Sequence, residues 1–475
     1  MNKSKYLLKN LGILTISNFS SKILVFLLVP LYTSVLSTSE YGAYDLAVST
    51  ASLFYPILSL NIVDAVMRFS MDKENDKKSI ASIGLRFLLI SIIAFGFIMY
   101  VLNVTSVWSD INGLEIYIFL YYISYIFNQF LIQFAKGLEK VEVMAIAGVV
   151  STFVTIICNI LFLLVFKLGL IGFFFASILA QFMSGIYLGW CIKIWEFIRW
   201  KRRDTVLQKE MLAYSIPLIA TTVGWWINST ADKYVVTFML GVSANGLLSV
   251  SYKIPQIINT FQGIFTQAWQ ISAIKEYGEN DTATFYGNIF IIINLLMCIA
   301  CSVLIILTKP LANILYAKDF YMAWRYVPFL LIASVFNCAS GLLGPILSAK
   351  KDSRSMMWSA IIGAGSNIIM NIVLVYIIGI QGATIATVIC SFIIYIIRKL
   401  AVGPDIKIEK YYNVLLTWIF LCVQGIIESY YSNYTAEVII IIILFVINFK
   451  YLKKILLLNA NLLYKSFLYN KKRRR

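Results

Sequence analysis

Apolar runs of about 20 residues recur along this chain of 475 residues, separated by short polar stretches rich in lysine, arginine, glycine and asparagine. An α-helix rises about 1.5 Å per residue, so a run of that length matches the ~30 Å hydrocarbon thickness of a bilayer. The pattern predicts fourteen spans, near residues 11–36, 43–67, 80–102, 114–135, 143–166, 170–192, 211–240, 246–270, 284–308, 326–348, 357–379, 381–400, 411–428 and 436–450. The expected class is therefore an all-α integral membrane protein. The first run is about 25 residues long and lacks a small-residue cleavage pattern, so it is expected to stay as a span.

Polar positions within the spans repeat. A shift of 204 residues lays Asp45, Ser49, Ser52, Pro56 and Ser59 on Ser249, Lys253, Gln256, Thr260 and Gly263, with Gly42 falling on Gly246. Each stripe runs at spacings of four, three, four and three, which is one helix face. Asn159, Gly169 and Gly172 are echoed by Asn371, Gly379 and Gly382. Six spans per copy keeps both copies in the same orientation. The prediction is two six-helix lobes related by a pseudo-twofold axis along the membrane normal, with a substrate cavity between them. The expected divisions are a first lobe over 1–198, a cytoplasmic linker over 199–210, a second lobe over 211–400, and two further helices with a basic tail over 401–475.

Composition sharpens this picture. Hydrophobic residues make up 60% of the chain and charged residues only 13%, against roughly a quarter charged in soluble domains. The surplus apolar surface needs lipid around it. Basic residues set the orientation: alternate loops place only Lys167, Lys309, Lys318 and Arg325 on one side, and nearly all other lysines and arginines on the opposite one. The positive-inside rule then puts both termini in the cytoplasm, and the net charge of +17 is mainly this topological signal, which excludes nucleic acid as the expected partner. Histidine is absent, which removes imidazole acid–base catalysis and imidazole metal ligation. All seven cysteines fall in apolar runs and read as core residues, including the Cys298–Cys301 pair. No metal, cofactor or catalytic residue is expected, and no phosphate-binding G-x-x-x-x-G-K-[ST] loop is present.

Charges inside spans carry the candidate chemistry, because a lysine or aspartate at a helix centre costs roughly 2.5–3.5 kcal/mol and normally faces a partner or a wet cavity. Lys22 shares a face with Asn18, Asn228 and Asp232 share a face with Lys233 beside them, and Lys253 lies one turn from Gln256. These residues are read as lining a net positive cavity suited to an acidic ligand such as a diphosphate. The alternatives are that Lys22 and Lys253 snorkel to an interface and that Asp232 and Lys233 neutralise each other or pair with neighbours. Asp232 is the candidate carrier for coupling to H⁺ or Na⁺. Asp64 and Arg68, at i and i+4, are candidates for a cytoplasmic gate closed by an ion pair, with Arg68 as an interfacial anchor the other reading.

An ordered series of short motifs resembles a known family. Glu40-Tyr41-Gly42-Ala43-Tyr44, Asn61 to Phe69, Lys136-Gly137-Leu138-Glu139, and Asp232-Lys233 followed by Gly246 and Ser251-Tyr252-Lys253-Ile254-Pro255 are similar to the polysaccharide biosynthesis or oligosaccharide flippase family, within the multidrug/oligosaccharidyl-lipid/polysaccharide exporter superfamily. The resemblance implies a bacterial plasma-membrane protein, not an enzyme. It would flip an undecaprenyl-diphosphate-linked oligosaccharide to the outer leaflet for capsule, exopolysaccharide or O-antigen assembly, with membrane lipids, a glycan polymerase and glycosyltransferases as candidate partners. The other readings are a drug/cation antiporter of the same superfamily and a membrane glycan polymerase or glycosyltransferase.

Overall fold

The computed structural model describes residues 24–449 and 451, apart from 73, 106, 107, 109–111, 200–203 and 432. The described residues are nearly all helical and contain no strand. Nine of their helices are long and apolar enough to cross a membrane, or ten if one bent pair counts as a single span. The chain divides into two compact units, one comprising residues 1–250 and 313–321, the other 251–312 and 322–475.

In the first unit the helices are α1 (Val29–Val35), α2 (Thr38–Leu58), α3 (Ile62–Met71), α4 (Lys77–Thr105), α5 (Glu115–Gly137), α6 (Val141–Asn159), α7 (Gly169–Ile192), α8 (Thr205–Leu240) and α9 (Val242–Ser251). α2 and α3 are the bent pair, meeting at 62°. The bend follows from Leu60 and Asn61, both left-handed with φ near 50°, one turn beyond Pro56, which leaves a gap in the helical hydrogen bonding. The core gathers where α3, α4 and α5 meet. There Tyr122 is fully buried, stacked on Phe95 at 3.9 Å, and shares a hydrogen bond with Ser91. Tyr122 is thus a packing residue. On the outer side of α4 the large apolar residues Ile93, Phe97 and Tyr100 are 66–73% exposed, a surface that lipid tolerates and water does not.

In the second unit, α10 (Pro255–Lys275), α11 (Thr282–Ile306), α12 (Thr308–Leu315, whose last three residues join the first unit), α13 (Val327–Ala349), α14 (Ser353–Ile378), α15 (Ile380–Val402), α16 (Tyr411–Ile426) and α17 (Tyr434–Ile447) follow. α13 is central and almost wholly buried. Polar residues inside this unit pair with one another: Ser302 donates to Gln424 Oε1 at 2.6 Å, Gln424 Nε2 donates back to the Ser302 carbonyl, and Trp418 donates to Asn294. Without water to compete, such pairs hold apolar helices in register. They dock α16 onto α11. Cys298 and Cys301 are fully buried in α11, with no disulfide.

Each expected span position carries a helix, but four fall short of the span criterion. α8 and α10 are long and too polar, and the described part of the first run (Leu24–Val35) and α17 are short. The polarity of α8 is what brings chemistry into the fold. The sequence echo also has a local counterpart in each unit. Asn159 and Asn371 both donate to the carbonyl four residues back, from Thr155 and Asn367 respectively, about two helical turns before a hairpin turn. Past each turn a glycine allows the next helix to press close: a Cβ on Gly172 would crowd Phe162 and Leu168, and one on Gly382 would collide with the Leu374 carbonyl. Gly382→Ala is expected to lower the thermal unfolding midpoint of the detergent-purified protein, by the equivalent of ~1–3 kcal/mol, whereas Gly365→Ala, where a methyl group meets open space inside α14, does not lower it.

Candidate functional site

α2 starts on a capping box: the Ser37 hydroxyl accepts from the Glu40 backbone N–H, and the Glu40 carboxylate accepts from the Ser37 N–H at 2.8 Å. This fixes the entry of α2 and, one turn on, the position of Gly42. There α2 crosses α9 at close range. A methyl group on Gly42 would strike the Val242 carbonyl, and one on Gly246 the Thr38 carbonyl. Only glycine permits this approach at both positions. Across the crossing, Asn245 Nδ2 donates to the Gly42 carbonyl at 3.1 Å, and the Thr38 and Ser243 hydroxyls share a hydrogen bond.

The next turn of α2 presents Asp45. Its carboxylate accepts from Ser249 Oγ of α9 at 2.7 Å and from Lys233 Nζ of α8 at 2.9 and 3.0 Å. Both charged side chains keep about 17% exposure, so the pair is largely desolvated yet reachable. Further along the same face, Trp226 Nε1 donates to the Ser49 carbonyl and to Ser52 Oγ, and Thr50 shares a hydrogen bond with Tyr234. The polar stripe of α2 is thereby joined to α8 and α9. Positions that correspond in the 204-residue echo touch each other: Gly42 against Gly246, and Asp45 against Ser249.

The residues read from sequence as a binding cluster are placed as follows. Lys233 is in this network with its charge matched by Asp45. Asp45 appeared from sequence only as a member of a repeating stripe, and the available signal was its register with Ser249 and with a lysine of α8. Asp232 is buried, and its carboxylate accepts from the Lys233 backbone N–H at 2.9 Å; Asn228, one turn earlier on α8, is half-buried. Lys253 stands in the turn between α9 and α10, and Gln256 is exposed in the first turn of α10; both belong to the second unit. Lys22 and Asn18 lie outside the described residues.

The expected Asp64–Arg68 ion pair is corrected. Arg68 pairs with Asp72 at 2.8 Å, with both side chains about half exposed, while Asp64 accepts from Asn61 Nδ2 at 2.9 Å. The reason is local: the bend before α3 leaves Asn61 in the left-handed region next to the first turn, where it reaches Asp64, and Arg68 in the last turn finds the acid that follows the helix. Arg68 is an exposed residue with a surface partner, and such pairs contribute little.

No curated protein matches the chain by sequence. Among solved structures it is similar to lipid II flippase MurJ in an inward closed conformation, at 16% identity and a TM-score of 0.71, over 93% of this chain and 99% of that one. It is also similar to an inward-facing multidrug resistance MATE family transporter of the MOP superfamily, at 14% identity and a TM-score of 0.61, over 83% of this chain and 95% of that one. A third is a MOP superfamily transporter from Pyrococcus furiosus described as having reversed binding-pocket polarity, at 12% identity and a TM-score of 0.59, over 86% of this chain and 96% of that one. At these identities the likeness is one of fold. The sequence model for polysaccharide biosynthesis proteins matches residues 7–270, more than half of the chain. With its run of apolar helices and a close crossing of α2 and α9 inside the matched segment, the chain is a multi-pass membrane protein belonging to the polysaccharide biosynthesis protein family.

Proposed function

We propose that this protein is a flippase that carries a lipid-linked oligosaccharide across the bacterial plasma membrane by alternating access, with both termini in the cytoplasm. The observation that supports this most directly is the knot of Asp45, Lys233 and Ser249 beside the Gly42–Gly246 crossing. A closure made of one ion pair and a few hydrogen bonds exchanges readily with water, whereas one made of interlocked apolar side chains does not. Gly42 with Gly246 and Asp45 with Ser249 are equivalent positions of the sequence repeat in direct contact, which supports placing the moving closure at this knot. Family membership supports the cargo class, and the fold shared with a lipid II flippase supports the type of movement.

In this reading the cargo is an undecaprenyl-diphosphate-linked repeat unit for capsule, exopolysaccharide or O-antigen, with a polymerase and glycosyltransferases as neighbours in the pathway. Lys22 and Lys253 attract the diphosphate, Gln256, Asn228 and Asn18 contact the glycan, and the polyprenyl tail stays in lipid. Two negative charges leaving a cell about 100 mV negative inside gain roughly 4–5 kcal/mol from the potential, so export runs downhill without ATP. A drug/cation antiporter shares the fold, but lysines in the site disfavour a cationic cargo.

Three outcomes are expected in proteoliposomes assayed with a fluorescent lipid-linked sugar. Lys22→Ala and Lys253→Ala slow flipping while Lys209→Ala on the surface of α8 does not; equal rates in all three remove the cavity lysines from the mechanism, and a wild-type protein that exports a cationic dye but not the lipid removes the flippase reading. Asp45→Asn and Lys233→Ala each reduce the rate and cost roughly 2–3 kcal/mol of stability, less than the 3–5 of a fully enclosed pair because both ends keep some exposure, and the Asp45→Lys/Lys233→Asp exchange recovers part of both. Asp232→Asn abolishes the response of the rate to an imposed proton or sodium gradient; an unchanged response assigns coupling elsewhere.

A further inference from the structure

Among the described residues of the second unit, Arg398 is a buried basic residue that the transport reading does not use. It lies in α15 one turn, ~6 Å, before the end of the helix, and only 9% of its surface is exposed. Its guanidinium Nε donates to Ser359 Oγ of α14 at 3.1 Å, and Nη1 donates to the Ser340 carbonyl of α13 at 3.1 Å. Gly344 leaves room beside Nη1: a Cβ there would sit 3.6 Å away. Among the described residues no carboxylate forms an ion pair with Arg398. Nη2 makes no hydrogen bond with them either.

This arrangement meets part of the hydrogen-bonding demand and none of the charge. Arginine stays protonated in proteins, so the site holds a full positive charge against neutral oxygens, at a cost of several kcal/mol unless an anion completes it. The remaining N–H groups form a planar fork whose geometry suits two oxygens of one phosphate. The surroundings favour the same class of ligand. The α13–α14 turn and the segment after α15 lie at one end of the unit, joined by Lys350 to Asp405 at 3.0 Å, and they present Lys351, Arg354, Lys407 and Lys410 as exposed cations that outnumber the neighbouring acids Asp352 and Glu409. A buried guanidinium beside a basic cluster at the ends of membrane helices is a combination that acidic lipid headgroups recognise.

We propose that Arg398 is the floor of a phosphate site that takes the headgroup of an acidic lipid between α13, the first turns of α14 and the last turn of α15. The phosphate has two sources, a resident anionic phospholipid or a polyprenyl phosphate, and both present the same oxygens to the fork. The experiment is native mass spectrometry of the full-length purified protein with phosphatidylglycerol, undecaprenyl phosphate or phosphate-free diacylglycerol added. Wild type is expected to retain one phosphate-bearing lipid through detergent exchange, Arg398→Gln to retain about tenfold less, and Lys209→Gln, exposed on α8 of the first unit, to match wild type. Retention of phosphatidylglycerol identifies a resident phospholipid, and retention of undecaprenyl phosphate alone identifies a cargo-like lipid. Equal retention by wild type and Arg398→Gln, or no preference of wild type over diacylglycerol, overturns the site. Should Arg398→Gln not fold, a headgroup photo-crosslinking phosphatidylglycerol and a crosslinking polyprenyl phosphate on wild type decide it: labelling within residues 340–359 and 394–405 supports the site, and labelling only elsewhere rejects it. Neither readout requires transport, so the result stands apart from the flippase assay.

Discussion

The contact on which the candidate site depends is the backbone-to-backbone approach of α2 and α9 at Gly42 and Gly246. With any side chain at either position the two helices stand further apart, and the 2.7 Å hydrogen bond between Asp45 and Ser249 one turn on is lost. With that separation fixed, Lys233 of α8 completes the arrangement, since Asp45 is then a desolvated carboxylate needing a cation. The order of causes runs from two absent Cβ atoms to helix spacing, from spacing to a hydrogen bond, and from that bond to an ion pair. The capping box at Ser37 and Glu40 sets where α2 begins and so where these residues fall.

The two units meet the cost of charge and polarity within an apolar surround differently. In the first, opposite charges are matched, Lys233 to Asp45, and polar side chains of α2 are met by Trp226 and Tyr234 of α8. In the second, neutral side chains pair between α11 and α16, and Arg398 is held by serine and carbonyl oxygens alone. The first solution is complete within the chain. The second leaves a charge that a ligand can complete.

Much of the fold was legible because the bilayer simplifies the code. A span must be about 20 apolar residues with its backbone groups satisfied internally, so helix positions follow directly from hydropathy. The hairpins after Asn159 and Asn371 were visible as an echo of asparagine and glycine, since both residue types answer to local backbone geometry. The site was less legible. Lys233 was singled out for its charge, but its partner Asp45 is 188 residues away and becomes a neighbour only through packing. Arg68 and Asp64 had the spacing of a helical pair, and a left-handed bend at Asn61 gave each a different partner.

The sequence by itself determined an all-helical membrane protein, the positions of its helices, and the family, because hydropathy, charge bias and small-residue motifs act over one or two helical turns. Only the tertiary structure decided which polar groups meet. It turned the correspondence of Gly42 with Gly246 into a contact, matched Lys233 to Asp45, and left Arg398 among neutral oxygens. The physical reason is that electrostatic and hydrogen-bond partners are chosen by distances of about 3 Å, which are set by helix crossings far apart in the chain and not by spacing along it.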